Sequence, residues 1–238
     1  MKAVTHIQRS LAAFFAAMAL CCSLTYSAPR KGKPGLDLKE ILSHMDEGAR
    51  HIRTVSSDIE YTKVTVLVDD HSTETGHLFY RKGKQPEILL KFEKPDAKVI
   101  LLKKNKAEMF LPKTNQIQEY DLEKHSDLIQ QFLLLGFGTD SKDLQKAYDV
   151  KLTGEEQLGA DTAALLELTP LSERVTSQLT KVQLWISEES WLPLKQKFLE
   201  PSGDYLETRY SSIKVNRNIS SSTFQIDAPK DAKRIKMQ

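Results

Sequence analysis

The chain has 238 residues, with 34 Lys+Arg against 32 Asp+Glu, a formal net charge of +2 and two cysteines. Lys2 and Arg9 precede an apolar run, Leu11 to Leu24, and the small residues Thr25 to Ala28, which is the layout of a secretory signal peptide cleaved after Ser27 or, alternatively, after Ala28. Export removes Cys21, Cys22 and two basic residues, leaving 32 charges of each sign, which excludes a disulfide, a thiolate metal site, a Cys nucleophile and the basic footprint of a nucleic-acid binder.

Residues 1–27 are therefore read as the export signal, 28–36 as a flexible leader containing "PRKGKPG", and 37–238 as a single domain. Lipidation is not expected, because Leu20 rather than a small residue precedes Cys21. Leu38, Ile41, Leu42, Met45, Ala49 and Ile52 follow the spacing of an amphipathic helix, with Asp37 as its N-cap. The period then changes to two. "DIEYTKVTVLV" (58–68) and "TGHLFYRK" (75–82) flank the turn composition "DDHSTE" and predict a hairpin. "EILLKFEKP", "KVILLKK", "KAEMFLP" and "QIQEYDL" continue the strands through Leu122, joined by short turns.

"DLIQQFLLLGFGTD", Asp127 to Asp140, interrupts them with seven Leu, Ile or Phe residues. It is too short to span a bilayer, which takes about 20 apolar residues. It is also too apolar around its circumference for a half-exposed helix. It is either a core helix or the cover of an apolar space. A short helix at "SKDLQKAY" follows. Strands then return in "DVKLTGEEQL", "TAALLELTP", "LTKVQLWIS", "LPLKQKFLE", "DYLETRYSSIKV" and "STFQIDAP". About ten or eleven antiparallel strands with helices gathered on one face predict an α+β fold, a curved, incomplete antiparallel barrel with helices over its concave face.

Catalytic motifs are scarce. Glu40, His44, Glu47 and His51 lie within about 80° of one another on the first helix, but that face lies opposite the apolar stripe and is read as solvated, so no metal site is assigned. There is no nucleophile elbow, phosphate loop or dinucleotide fingerprint. Strand parity places Ile88, Leu90 and Phe92 on one face of their strand. Val182, Leu184 and Ile186 share a face of theirs, and Leu194 and Phe198 continue the theme. Lys91, Glu93, Lys181, Gln183, Lys195 and Lys197 fall opposite. One greasy face, one wet face and no polar cluster aimed inward predict a non-enzymatic protein without cofactors, and leave open whether the apolar side is filled or hollow.

The order of elements resembles the LolA/LolB superfamily. The resemblance is carried by Gly76, Leu78, Arg81, Phe92, Pro95, Val99–Leu102, Met109–Phe110 and Pro112, then the mid-chain apolar helix and the closing "FQIDAPKDAK". It departs in two places. Arg81 is separated from Pro86 rather than preceding a proline directly, and Pro229-Lys230-Asp231 lacks the family's terminal glycine. The resemblance implies a divergent, monomeric periplasmic carrier that shelters acyl chains or lipoproteins in an apolar cavity under a helical lid, for outer-membrane lipoprotein sorting, between an inner-membrane donor complex and an outer-membrane acceptor. The alternative is a periplasmic lipid- or protein-sensing or scaffolding domain of the same fold. The implied ligand-binding set is Leu128, Ile129, Phe132, Leu133, Leu135, Phe137, Ile88, Leu90, Phe92, Leu184, Ile186 and Phe198. Arg81 is the implied lid latch, with Lys82 equally close in register.

Overall fold

The computed structural model describes residues 37–122, 135, 137 and 140–237. The signal peptide, the leader and Leu128, Ile129, Phe132 and Leu133 lie outside the described residues. Helix α1 spans Leu38–His51 and begins at a capping box: the Asp37 carboxylate accepts from Glu40 N at 2.8 Å, and Glu40 accepts from Asp37 N at 3.2 Å. Its predicted stripe is turned inward, with Ile41, Leu42, Met45 and Ala49 buried. The opposite face is not uniformly wet, because the His44 ring stacks on Trp191 at 4.1 Å.

Twelve strands follow: β1 Thr54–Thr65, β2 Asp70–Arg81, β3 Glu87–Lys94, β4 Lys98–Lys103, β5 Lys106–Leu111, β6 Gln116–Asp121, β7 Tyr148–Leu158, β8 Asp161–Pro170, β9 Lys181–Ser187, β10 Pro193–Leu199, β11 Tyr205–Val215 and β12 Lys233–Lys236. Helices α2 (Ser141–Ala147) and α3 (Glu173–Thr176) complete the set among the described residues. The strands form one curved, unclosed sheet in the order β12-β6-β5-β4-β3-β2-β1-β11-β10-β9-β8-β7. Every pairing is antiparallel except β12 with β6, which is parallel.

Local chemistry explains where the hairpins turn. β1 and β2 pair from Thr54↔Arg81 to Thr65↔Asp70, so the turn is Val66 to Asp69 and not "DDHSTE". Val66–Val68 form a 3-10 turn and Asp69 takes a left-handed conformation at φ 50°, which an Asp side chain tolerates. The β5–β6 hairpin repeats the device with Pro112–Thr114 and Asn115 at φ 49°. Gly76 answers a different need: a Cβ there would lie 2.1 Å from Lys91 O, where a register shift brings β2 against β3.

Two apolar clusters occupy the helix-bearing side. One joins α1 and α2 to β7–β9 through Ile41, Leu42, Met45, Leu144, Leu166, Leu168, Val182, Leu184 and Ile186. The other joins Ile52, Val55, Ile59, Leu78, Tyr80, Ile88, Phe92 and Tyr210. The reverse face is not simply wet. Leu89 and Leu101 are buried under Phe224, whose segment forms a 3-10 turn (Ser221–Phe224) where a closing strand "STFQIDAP" was predicted. Lys195 is only 7 % exposed, with its Nζ 3.7 Å from the Trp185 ring centroid and 3.3 Å from Glu156.

Candidate functional site

The curved sheet leaves a cavity of about 400 Å³ between β1–β4 on one side and β10–β11 on the other. Strand parity selects its walls: Ile59 and Tyr61 from β1, Leu78 from β2, Leu90 and Phe92 from β3, Ile100 from β4, Phe198 from β10, and Leu206 and Tyr210 from β11. The walls are mainly apolar, as ligand cavities are. At one end the strands run into their turns, and there the lining becomes charged, with Glu74, Lys98 and Glu200. Lys98 Nζ meets both Glu74 carboxylate oxygens, at 2.6 and 2.8 Å, and lies 4.6 Å from the Phe92 ring centroid. The Tyr61 hydroxyl is pushed to higher pKa by burial and by the charges of Glu74 and Glu200.

At the other end the polar groups are buried and neutral. Gln196, 1 % exposed, donates from Nε2 to Leu135 O at 2.5 Å, and its Oε1 accepts from the Tyr210 hydroxyl at 3.0 Å. Phe137 meets the Tyr210 ring edge-on at 4.9 Å. Burial pushes the Tyr210 hydroxyl far up, so it stays a neutral donor throughout the physiological range. Leu135 and Phe137 are each 1 % exposed and belong to different apolar clusters, so this piece of chain straddles the two halves of the sheet.

The sequence-derived set therefore divides. Leu90, Phe92 and Phe198 line the cavity. Leu184 and Ile186 do not: they are fully buried against α1, because the helix stripe covers that half of the sheet. Ile88 is buried in the second cluster beside Leu102 and Leu122, beyond the cavity wall. Arg81 shares a face of β2 with Phe79, opposite Leu78 and Tyr80, and so points away from the cavity. Its guanidinium pairs with Glu87 at 2.6 Å, donates to Ser221 Oγ at 3.1 Å and lies over Phe224 at 4.4 Å. Lys82 reaches the C-terminal end of α1, donating to Ala49 O at 3.1 Å. Among the described residues it is Gln196, not Arg81, that holds a carbonyl of the mid-chain segment.

The expectation of no inward polar group is corrected by Gln196, Glu74 and Lys98. Gln196 was legible, since it shares parity with Phe198. Glu74 was hidden by its assignment to a turn, and Lys98 by its place at a strand end. A second, wider groove of about 1240 Å³ lies where the β7–β8 turn (Gly159–Asp161) approaches Asp58, His77, Lys195 and Arg209.

The chain is a curved, open antiparallel sheet bearing few helices and an apolar cavity, the incomplete barrel that the sequence predicts. It belongs to the family whose model matches residues 87–227 and is described as "Uncharacterized protein". The fold is shared with an uncharacterized conserved protein from Thermus thermophilus, at 15% identity and TM-score 0.54 over 84% of this chain and 98% of that one. It is shared also with MucB, at 15% identity and TM-score 0.51 over 80% of this chain; the match spans 62% of the length of MucB. A LolA superfamily protein from Nitrosomonas europaea is similar at 16% identity and TM-score 0.39, over 81% and 99% of the two chains. No curated protein sequence matches. No helix among the described residues is long and apolar enough to cross a membrane.

Proposed function

We propose that this chain is an exported, periplasmic carrier that shelters an acyl chain of a lipid or lipoprotein in the cavity between β1–β4 and β10–β11, with a part in outer-membrane lipoprotein sorting and without catalysis. The observation that carries this reading is the cavity itself: apolar side chains from six strands face it and leave about 400 Å³ between them. Each buried CH₂ of a ligand contributes about 0.8 kcal/mol, so even a partly enclosed chain binds well. A carrier must also release its cargo, and a covering segment that competes for the same walls moderates the affinity. At one end of the cavity Leu135 O is held by Gln196, and the Phe137 ring packs on Tyr210.

The test is saturable uptake of a fluorescent fatty acid by the purified protein, together with analysis of what co-purifies from its native compartment. Leu90→Glu, which places a charge on the cavity wall, should abolish uptake while leaving a cooperative unfolding transition. Absence of both uptake and co-purifying lipid or lipoprotein in the unsubstituted protein would sink the proposal.

A second reading, a sensing or scaffolding domain that binds a polypeptide, draws on the wide groove of mixed charge at Asp58, His77, Lys195 and Arg209. A stable partner complex that survives Leu90→Glu but is lost on Arg209→Glu would favour it over carriage.

A further inference from the structure

We propose that the charged end of the cavity is an ammonium site, and that the amphiphile it takes has one acyl or alkyl tail and a head carrying a protonated amine. This rests on the lipid-binding reading of the same cavity and adds the chemistry of the head group.

Register places the site. Glu74 pairs across from Tyr61, and Lys98 across from Phe92, so two aromatic rings and two charges converge where four strands enter their turns. The Tyr61 and Phe92 rings are 6.1 Å apart at 67°. Glu200, at the start of the β10–β11 turn, lines the same cavity. The three charged side chains on the wall are two carboxylates and one ammonium, which leaves the end with one net negative charge. Glu74 is paired with Lys98, whereas Glu200 forms no ion pair among the described residues.

The seat is already shown in use by the chain's own amine. The Lys98 ammonium is held by the Glu74 carboxylate and lies over the Phe92 face, the two groups that best stabilise a desolvated cation. An incoming ammonium finds the second carboxylate, Glu200, and the Tyr61 ring beside it. A carboxylate or phosphate head finds a lysine that is already neutralised and a carboxylate that repels it. The apolar remainder, Leu78, Leu90, Ile100 and Leu206, takes the tail. At about 400 Å³ the cavity is near the small end of the ligand-pocket range of about 300–1,000 Å³, which points to one tail.

The experiment is displacement of a neutral fluorescent reporter, N-phenyl-1-naphthylamine, from the purified protein at pH 7 by dodecylamine, dodecanol and dodecanoate. Dodecylamine should bind at least tenfold tighter than dodecanoate, with dodecanol between them, and added salt should narrow the gap. Glu200→Gln, a change in a turn, should bring the ratio toward one. Lys98→Met, which leaves two carboxylates, should widen it. Lysophosphatidylethanolamine set against lysophosphatidylglycerol of equal chain length identifies the source: a preference for the former assigns a phospholipid head, and no preference assigns a simple amine. Dodecanoate binding as tightly as dodecylamine while all three displace the reporter overturns the ammonium site and leaves the lipid cavity standing. Failure of all three, dodecanol included, overturns the cavity reading and the ammonium site with it.

Discussion

On β9, Val182, Leu184 and Ile186 are fully buried beneath α1, whereas Leu90 on β3 and Ile100 on β4 stay partly open to the cavity. The residues are of the same kind and stand on the same side of one continuous sheet. What differs is the cover. The α1 stripe from Ile41 to Met45 packs on β7–β9 with Leu144 of α2, and the Asp46 carboxylate ties the two helices together by accepting from Ser141 N and Oγ at 2.7 and 2.6 Å. The β1–β4 half has no such helix among the described residues and is braced from its reverse face instead. There Phe224 seals Leu89 and Leu101, and Arg81, Glu87 and Lys103 form a charged clasp. An apolar sheet face therefore does not define a cavity. A cavity arises where the described helices leave that face uncovered and the backbone is stiffened from behind.

This contrast is broken most directly by truncation. Leu184→Ala, in the filled half, should cost about 2–5 kcal/mol, because the surrounding side chains cannot close the space. Leu90→Ala, on the open wall, should cost about 1–2 kcal/mol, since it removes a half-buried side chain and enlarges an existing cavity. Denaturant unfolding of both variants measures the difference. Equal losses would mean that the two halves are packed alike.

Bracing of the open half has two separate tests. Gly76→Ala drives a methyl group to 2.1 Å from the Lys91 carbonyl, where only backbone can give way, and should destabilise by about 1–3 kcal/mol. Its unfolding midpoint should fall and that of the same change at Gly48, which has open space, should not fall by this route. The clasp is read through pH. Burial pushes the Glu87 carboxyl up, but the hydrogen bonds and charges of Lys103 and Arg81 outweigh it and leave its pKa lowered. A lowered folded pKa means stability that is present above the unfolded value, about 4.3, and is lost as pH falls through the folded one. The stability gap between the unsubstituted protein and Glu87→Gln should hold from pH 7 to about 5 and close below about 4.

The sequence made most of the sheet legible because period-two alternation and turn residues are local signals. The N-cap at Asp37 and the strand faces of Ile88 to Phe92 were readable one element at a time. Cover was not readable, because it depends on which half of the sheet a helix reaches. That is why Leu184 and Ile186 were expected at the ligand and stand instead in the core. Arg81 was expected as a latch through resemblance, although its own parity with Phe79 turns it to the reverse face. The β12 strand escaped because its four residues, Lys233 to Lys236, are mostly charged and are held by pairing with β6 and by Arg234 between Glu108 and Glu119, not by an apolar pattern.

The smallest expected effect lies at the tip of the β1–β2 hairpin, where Leu67 is 93 % exposed. Val66, Leu67 and Val68 look in sequence like the buried end of a strand, yet their turn projects past the last cavity-lining residues of both strands, Tyr61 and Glu74. The turn is held by its backbone: Val66 N donates to Asp204 Oδ1 at 2.9 Å, and Asp69 N donates back to Val66 O. Leu67→Ser buries and exposes nothing, so stability should stay within about 0.5 kcal/mol of the unsubstituted protein. Asp204→Ala leaves the tip's apolar side chains untouched but removes the acceptor, and should cost about 0.5–1.5 kcal/mol. If Leu67→Ser proves the more damaging of the two in denaturant unfolding, the tip is packed against another part of the chain.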